Sequence, residues 1–463
     1  MNKTLPPDQI LPAAALAVGV ARRDMTPPVG IYARQWGAAE HDVAEGVHRP
    51  LCATIMALRG DGDEHPLILA SLDAGWWQKL EDERRVRTAL LDALGLAPQH
   101  VLIALTHTHA ACSLCSDDID QPGGEHIAPY LERITQALID ASREAIGNLA
   151  PATLTFSSGR CAMAANRDLA DPQADRDLCG FNPAAPADDR VLVGRATDAS
   201  GRIIGTLVNY ACHPTTLAWE NRLISPDYIG AMREVVERET NGAPCLFLQG
   251  ASGDLGPREG FTGDTEVADA NGRQLGYAVA ETLEAMREPN TVLAYVGAVE
   301  SGAPIATWQR RRYDPPTTVS VRCVDVELPL KSLPTESALR DQLDACTDRV
   351  TVERLRRKLR VVRKVGSGPT LRVPTWYWRF GRAVLVAHPN ECYSVLQTTL
   401  RARFSDFALL VVTVVNGGAG YISPPELHDR DLYQVWQSPF DREALPTLIG
   451  ACGDTIERMI QGR

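Results

Sequence analysis

The chain has 463 residues, of which 44% are hydrophobic and 23% are charged, the composition of a globular protein large enough to bury a sizeable core. Its net charge of −11 argues against a nucleic-acid-binding protein, because such proteins need a basic face for phosphates. No run approaches the ~18 apolar residues that span a bilayer. The 11 scattered cysteines favour reduced thiols and a cytoplasmic location, and the oligomeric state stays open.

The pattern of apolar residues predicts strands and amphipathic helices along the whole chain. Strands are predicted from residue 16 and at 51–58, 66–72, 101–106, 153–157, 203–212, 245–248, 291–299, 320–328, 383–387 and 408–415. Helices are predicted at 80–94, 129–148, 227–239, 267–286 and 335–364, and from about residue 442. We expect a single domain over residues 1–463, preceded by an N-terminal extension at 1–15.

The segment 335–369 stands out as a helical, basic insertion. Residues 354–364 read RLRRKLRVVRK, and a glycine- and proline-containing stretch follows them. A basic run of this kind is most often a solvated helix face. The alternative is a basic arm that contacts an acidic partner or a membrane surface, and the sequence alone does not assign its role.

A short apolar strand at 101–106 ends at His107-Thr108-His109. In an extended backbone, residues two apart point to the same side, which predicts that both imidazoles face one space. Two histidines delivered by a strand into a loop are a typical beginning of a zinc site. Without further ligands, two partly exposed histidines at the end of a strand are the slightly favoured interpretation.

Other predicted strands also end in side chains that bind metals or carry catalysis. His213 follows the strand at 203–212, Glu391 follows the strand at 383–387, and a glycine-rich turn at 249–254 follows the strand at 245–248. Loops at one edge of a sheet are where rigid scaffolds place reactive groups. Imidazoles together with a carboxylate are typical ligands of a catalytic zinc ion, which keeps one position open.

Five short motifs in this order resemble the amidase domain of the neutral (non-lysosomal) ceramidase family. They are ALTHTHAACS at 104–113, NYACHP at 209–214, SGDLGP at 252–257, NE at 390–391 and GYIS at 420–423, and the segments VARRDMTPPVG and EGVHRPL near the start are also similar. The resemblance implies an α/β fold of stacked, largely antiparallel β-sheets flanked by helices. It also gives the expectation that the family's C-terminal immunoglobulin-like domain is absent.

The resemblance implies one zinc ion and a set of site residues. The implied zinc ligands are His107, His213, Glu391 and Tyr421. It assigns His109 as the acid–base residue and Arg167, in an Asn-Arg dipeptide, as a second catalytic residue. Gly256 departs from the family, because it stands where the family has a catalytic serine.

These residues predict a zinc-dependent hydrolase that cleaves the amide bond of an N-acyl, ceramidase-like substrate with metal-activated water. Zinc lowers the pKa of a bound water to about 7, His109 transfers protons, and Arg167 stabilises an oxyanion or grips a polar head. Asp254 is a candidate to orient a ligand histidine. Trp76 and Trp77 are candidates to line a substrate pocket, although large aromatic residues are more often part of the core. Since Gly256 replaces the serine, the alternatives are a hydrolase of a small non-lipid amide or ester, or an inactive binding protein. The expected partner is thus a small-molecule or lipid-like amide, and no nucleic acid.

Overall fold

The structure, a computed structural model, describes residues 10–463. Residues 1–9 of the expected N-terminal extension lie outside the described residues. The first strand begins at Ala13, three residues before the predicted start at Leu16, so the end of the expected extension belongs to a sheet. No helix in the described part of the chain is long and apolar enough to cross a membrane.

The strands range from 2 to 12 residues in length, and most of them are buried. Those of the first part of the chain are β1 (Ala13–Asp24), β2 (Gly46–Val47), β3 (Cys52–Arg59), β4 (Leu67–Leu72), β5 (Val101–Leu105), β6 (Ala150–Arg160), β7 (Ala164–Asn166), β8 (Asp168–Ala170), β9 (Asp177–Cys179), β10 (Arg190–Asp198), β11 (Ile203–Tyr210), β12 (Leu223–Ile224), β13 (Cys245–Gln249) and β14 (Leu255–Pro257). Those of the second part are β15 (Thr291–Glu300), β16 (Pro304–Arg312), β17 (Val319–Pro329), β18 (Thr370–Phe380), β19 (Ala383–Ala387), β20 (Glu391–Cys392), β21 (Ala408–Val412) and β22 (Tyr421–Ile422).

The helices follow the strands in sequence and cover the outer faces of the sheets. They are α1 (Leu80–Leu94), α2 (Ile127–Gly147), α3 (Tyr228–Glu239), α4 (Thr265–Ala285), α5 (Glu336–Ala345), α6 (Arg349–Val365), α7 (Val395–Arg403), α8 (Tyr433–Gln437) and α9 (Ala444–Ile460). The segment 335–364, predicted as one helix, is therefore two helices. The break falls before Asp348, whose side chain caps α6 by accepting a hydrogen bond from the backbone of Thr351.

Two large sheets form the centre of the molecule. One has eight strands in the order β13-β11-β10-β6-β1-β3-β4-β5, and the other has four in the order β17-β18-β19-β21. Neighbouring strands in these sheets are antiparallel except for the pairs β4–β5, β11–β13 and β19–β21. The prediction of largely antiparallel sheets is confirmed.

The two sheets pack face to face and each carries helices on its outer face. Because side chains alternate along a strand, Ile55 of β3 packs under α1 and α2 while its neighbour Met56 lies between the sheets. Trp378 of β18 contributes to the same inter-sheet core. Helices α3 and α4 cover the far end of the eight-stranded sheet, and α7 and α9 cover the four-stranded one. The predicted architecture of stacked sheets flanked by helices is confirmed.

The eight-stranded sheet curls so that its two ends approach each other. Strand β13, at one edge, contacts β3, β4 and β5 at the other, and Ser71 Oγ of β4 donates a hydrogen bond to the carbonyl oxygen of Phe247 in β13 at 2.7 Å. A β-bridge between Ala104 and Val415 joins the end of β5 to the loop that follows β21. The segments that follow the parallel pairs β4–β5, β11–β13 and β19–β21 therefore meet in one region of the molecule.

Candidate active site

His107 and His109 leave β5 in a turn. His107 has a φ of 70°, in the left-handed region, so the argument from an extended backbone was wrong. The turn is held by a hydrogen bond from the His107 amide to the Ala74 carbonyl oxygen at 2.8 Å. The two rings nevertheless face the same space, because their centroids are 4.9 Å apart.

His213 meets His107 from the other edge of the curled sheet. The two Nε2 atoms are 3.0 Å apart. Each ring fixes its other nitrogen on a backbone carbonyl: His107 Nδ1 lies 2.9 Å from the Gly75 oxygen and His213 Nδ1 lies 2.8 Å from the Ser252 oxygen. A carbonyl only accepts, so both Nδ1 atoms carry the proton in the neutral ring and both Nε2 atoms present lone pairs to each other.

Glu391 and Tyr421 complete this cluster from a two-stranded sheet whose strands follow β19 and β21 in the chain. Strands β20 and β22 pair in parallel with Glu391 opposite Tyr421, which places both side chains next to the histidines. Glu391 Oε2 lies 3.2 Å from each of the two Nε2 atoms. The Tyr421 hydroxyl lies 3.4 Å from His213 Nε2. The four residues predicted as zinc ligands therefore lie together.

Burial sets the protonation states of the cluster. Burial, together with the guanidinium of Arg167, lowers the pKa of His213 to about 3, so its imidazole is neutral at pH 7 and free to ligate a cation. Burial raises the pKa of the Tyr421 phenol well above its usual value, and the charge of Glu391 adds to that effect. Two facing lone pairs and a carboxylate form a site that attracts a cation.

His109 offers a third imidazole to the same space. The ligating atoms of His107, His109 and His213 all lie within 4.8 Å of one another, so the three histidines form a group that could hold a metal ion. Burial, followed by the two other histidines, lowers the pKa of His109 well below its usual value. Its Nε2 is buried and has no hydrogen-bond partner within residues 10–463. The ring packs 4.9 Å from that of Trp76.

Arg167 reaches the cluster with its guanidinium, whose Nη2 lies 3.4 Å from His213 Nε2. Its Nη2 donates to the Gly253 carbonyl oxygen at 2.8 Å and to the Tyr421 hydroxyl at 3.3 Å. The guanidinium is buried and does not line the cavity in front of the histidines. Its contacts orient Tyr421.

Asp254 supports the loop of Glu391, and its carboxylate has no hydrogen bond to a histidine within residues 10–463, so the expectation that it orients a ligand histidine was wrong. Its carboxylate accepts hydrogen bonds from the Ser394 amide at 2.7 Å and the Ser394 hydroxyl at 2.6 Å. Ser394 follows Glu391 by three residues. The histidines are instead oriented by the carbonyls of Gly75 and Ser252, which no side-chain pattern in the sequence identifies.

A cavity of about 80 Å³ opens in front of the cluster, lined by His107, His109, Glu391 and Tyr421. Trp76 and Trp77 line it too, although Trp77 is otherwise buried in the core with 1% of its surface exposed.

Helix α6 forms another wall of this cavity. Its residues Arg357, Arg360 and Lys364 line the space, so the interpretation of residues 354–364 as a solvated face was wrong for these three. The ring of Trp76 lies against Arg357, whose guanidinium carbon is 5.7 Å from the ring centroid. The basic run in the sequence marks a helix that lines the site. Nothing in the run itself indicates that three of its side chains face a cavity.

A family model for the N-terminal part of neutral/alkaline non-lysosomal ceramidases matches residues 16–294. The chain belongs to the neutral/alkaline non-lysosomal ceramidase family. The matched region contains His107, His213 and Gly256, whereas Glu391 and Tyr421 lie beyond it. The predicted membership of this family is confirmed.

Two neutral ceramidases resemble parts of the chain in sequence. The one from Pseudomonas aeruginosa is 28% identical over 174 residues, which are 34% of this chain and 24% of that protein. The one from Mycobacterium tuberculosis is 25% identical over 236 residues, which are 46% of this chain and 36% of that protein. The matches thus span well under two thirds of either relative.

Two solved structures share the fold over nearly the whole chain. The crystal structure of neutral ceramidase from Pseudomonas aeruginosa superposes with a TM-score of 0.66 at 16% identity, and covers 97% of this chain and 75% of that one. A ceramidase complexed with C2 gives a TM-score of 0.67 at 16% identity, with 98% and 76% covered. At 16% identity this likeness shows the fold alone, which the chain shares with both ceramidase structures.

Proposed function

We propose that the protein is a zinc-dependent hydrolase of an amide bond in an N-acyl substrate. Membership of the ceramidase family supports amide hydrolysis as the reaction. The observation that carries the metal is the 3.0 Å separation of the His107 and His213 Nε2 atoms, with the Glu391 carboxylate beside them. Such an arrangement is repulsive unless a cation lies between the lone pairs.

The donor set fits zinc, which proteins bind mainly through imidazole nitrogen, thiolate and carboxylate oxygen. His107, His213 and Glu391 would hold the ion, with the Tyr421 oxygen as a fourth donor. The carbonyl oxygens on the two Nδ1 atoms fix the ring orientations, as partners of metal-ligating histidines typically do. When bound, zinc activates water for attack and polarises a carbonyl oxygen.

The side chains around the cluster supply the proton transfers. His109 is neutral at pH 7 and has an unpartnered Nε2, so it takes a proton from the attacking water and gives it to the leaving nitrogen. Arg167 holds the Tyr421 hydroxyl in place by donating a hydrogen bond to it. Trp76 packs on the His109 ring and limits its rotation.

The metal content of the purified protein tests this proposal. We expect about one zinc per chain in the wild type and close to none in the His107→Ala/His213→Ala double variant, measured by elemental analysis. His126→Ala is the matched control, because His126 lies on the surface, and it should keep the zinc. Near-zero zinc in the wild type, after growth with zinc and purification without chelator, would contradict the proposal.

His109→Ala then separates catalysis from metal binding. We expect this variant to keep its zinc and to lose release of fatty acid from an N-acyl amide, because His109 acts on protons. Loss of zinc instead would identify His109 as a ligand of the three-histidine group. A wild type that holds zinc and hydrolyses no amide or ester would favour the inactive binding protein over the enzyme.

A further inference from the structure

Helix α6 places positive charge in the cavity in front of the histidine cluster. Arg357, Arg360 and Lys364 line it together with His107 and Glu391. The volume of about 80 Å³ is small beside the roughly 300–1,000 Å³ of pockets that enclose a drug-sized ligand. A group bound there therefore lies close to both the cations and the candidate metal ligands.

The two arginines already have carboxylate partners. Arg357 pairs with Glu353 at 2.8 Å on its own helix, and Arg360 pairs with Asp118. Arg357 also donates to the Tyr433 hydroxyl at 3.0 Å. Their charges are largely balanced, and their contacts hold α6 over the site.

Lys364 differs because the structure pairs it with no carboxylate in residues 10–463. Its Nζ donates to the carbonyl oxygens of Trp77 at 2.6 Å and Gly418 at 2.9 Å, which leaves one of its three N–H donors for another acceptor. Burial and the charge of Arg360 together lower the pKa of Lys364 to about 8, and the charge of Glu391 opposes this shift. A buried ammonium without a counter-ion is unfavourable, so an anion bound beside it would be stabilised.

We propose that the amide substrate carries an anionic group, with a carboxylate as the first candidate, and that Lys364 binds it. This inference rests on the amide hydrolysis proposed above and adds the charge of the substrate. An N-acyl amino acid has such a carboxylate on the amine side of the scissile bond, and an N-alkyl succinamic acid has it on the acyl side. In both, the water oxygen bonds to the carbonyl carbon, the C–N bond breaks, and a proton goes to the leaving nitrogen.

Matched charged and uncharged substrates test the proposal. The kcat/KM of the zinc-loaded protein is measured for hexanoyl-glycine and hexanoyl-glycinamide, and for N-hexyl succinamic acid and N-hexyl succinamide. In at least one pair we expect the kcat/KM of the acid to exceed that of its amide by at least about tenfold. A hydrogen bond between charged groups contributes enough free energy for a ratio of this size. The preferred pair then shows on which side of the amide the carboxylate lies.

Variants at Lys364 assign the preference to this side chain. Lys364→Gln removes the charge but keeps an amide donor for the two carbonyl oxygens. We expect the ratio of kcat/KM for the acid to kcat/KM for the amide to fall towards one. Lys364→Arg should restore most of it. Arg363→Gln is the control, because it removes a charge from the same helix at a residue that pairs with Glu336 and does not line the cavity.

A preference that is absent in the wild type, or that Lys364→Gln leaves unchanged, would overturn the proposal. Equal losses on the acid and the amide would also overturn it, because they would show that Lys364 only holds the helix in place.

Binding without turnover separates this inference from the proposed hydrolysis. Hexanoyl-glycine and N-hexyl succinamic acid are titrated by calorimetry into protein stripped of metal with EDTA, where no hydrolysis is required. Tighter binding of an acid than of its amide, lost in Lys364→Gln, would support the anion site even if no hydrolysis were ever detected. Hydrolysis with equal binding of acid and amide would retain the proposed function and overturn the anion site.

Discussion

The contact that defines the site is between two imidazole nitrogens, and backbone carbonyls set it. Gly75 and Ser252 each accept a hydrogen bond from an Nδ1 atom, so neither ring can turn its protonated side towards the other. The facing lone pairs of His107 and His213 are therefore built into the fold before any ion arrives. Such preorganisation lowers the reorganisation needed for metal binding.

Gly256, at the position where the resemblance to ceramidases implies a serine, has room for a side chain. A Cβ built there would lie 3.5 Å from Arg167 Cδ and 3.8 Å from Thr215 Oγ1, both ordinary contacts. We therefore expect Gly256→Ser to change the free energy of unfolding by less than about 1 kcal/mol, measured by urea denaturation. Because the new hydroxyl lies beside Arg167, we also expect it to raise fatty-acid release from a short-chain ceramide.

Gly253→Ser is the matched comparison on the same turn. Its Cβ would lie 2.8 Å from Tyr393 Cδ2 and 3.1 Å from the carbonyl oxygen of Cys392, so the buried tyrosine ring or the turn itself must shift. We expect a loss of about 1–3 kcal/mol in the free energy of unfolding. Equal stability of the two variants would show that the turn has more freedom than its contacts indicate.

Side-chain identity predicted the site better than backbone geometry did. The order of motifs assembled His107, His213, Glu391 and Tyr421 correctly in one place, because each follows a strand that ends at the same region. The positive φ of His107 was not predicted, because a positive φ is uncommon outside glycine even for histidine, which adopts it more often than most residues. The backbone carbonyls of Gly75 and Ser252 that orient the rings could not be predicted, because every residue type has a backbone carbonyl.

Helix α6 is the element for which the structure differs most from the prediction. Its cations are held by contacts from several directions, including the ring of Trp436, over which Arg354 and Lys358 lie. A basic helical run has the same pattern whether it faces water or a cavity, so composition alone favoured the solvated face. What distinguishes the two cases is the partner elements, and these come from distant parts of the chain.

The charge of Lys364 predicts a pH dependence for substrate preference. The groups acting on its ammonium are Arg360 on its own helix and Glu391, Cys115 and Glu81 on neighbouring segments. With a pKa of about 8, the ammonium is charged below that pH and becomes neutral as the pH rises through it. The preference for an acid over its amide should therefore be constant below about pH 7 and fall above pH 8.

The ratio of the two kcat/KM values, followed from pH 6 to 10, measures this dependence. Taking the ratio cancels the titration of the groups common to both reactions. In Lys364→Gln the ratio should be flat across the range. A wild-type ratio that rises with pH would have the wrong sign for a lysine and would exclude it as the anion-binding group.

Elements with a clear helical or apolar period were predicted closely, as α1 shows with bounds of Leu80–Leu94. The strands missed by the sequence are those whose patterns are mixed. Strand β10 carries Arg195 and Gly194 inside the sheet, and β18 contains Pro374 among aromatic residues. Proline and charged residues weaken a strand prediction, and here the surrounding sheet compensates for them.

At the scale of the whole molecule, the site depends on the curl of one sheet and on its packing against the other. Strands β5 and β11 lie near opposite edges of the eight-stranded sheet, and only its curvature brings His107 and His213 within contact. Glu391 and Tyr421 arrive from segments after the four-stranded sheet. Curvature of this kind comes from strand twist and register, which a linear pattern does not encode. The single-domain organisation over 1–463 stays a prediction.

A bound metal ion would therefore tie both sheets together, and its removal should weaken the whole fold. An ion that binds only the native state stabilises by RT ln(1 + [L]/Kd), about 4 kcal/mol at a thousandfold excess over Kd. We expect EDTA to lower the Tm of the wild type by a few degrees in scanning calorimetry, and zinc to restore it. The His107→Ala/His213→Ala variant should show the same Tm with and without EDTA. If EDTA shifted both proteins equally, the stabilising ion would have to lie elsewhere, and the facing imidazoles would not be its site.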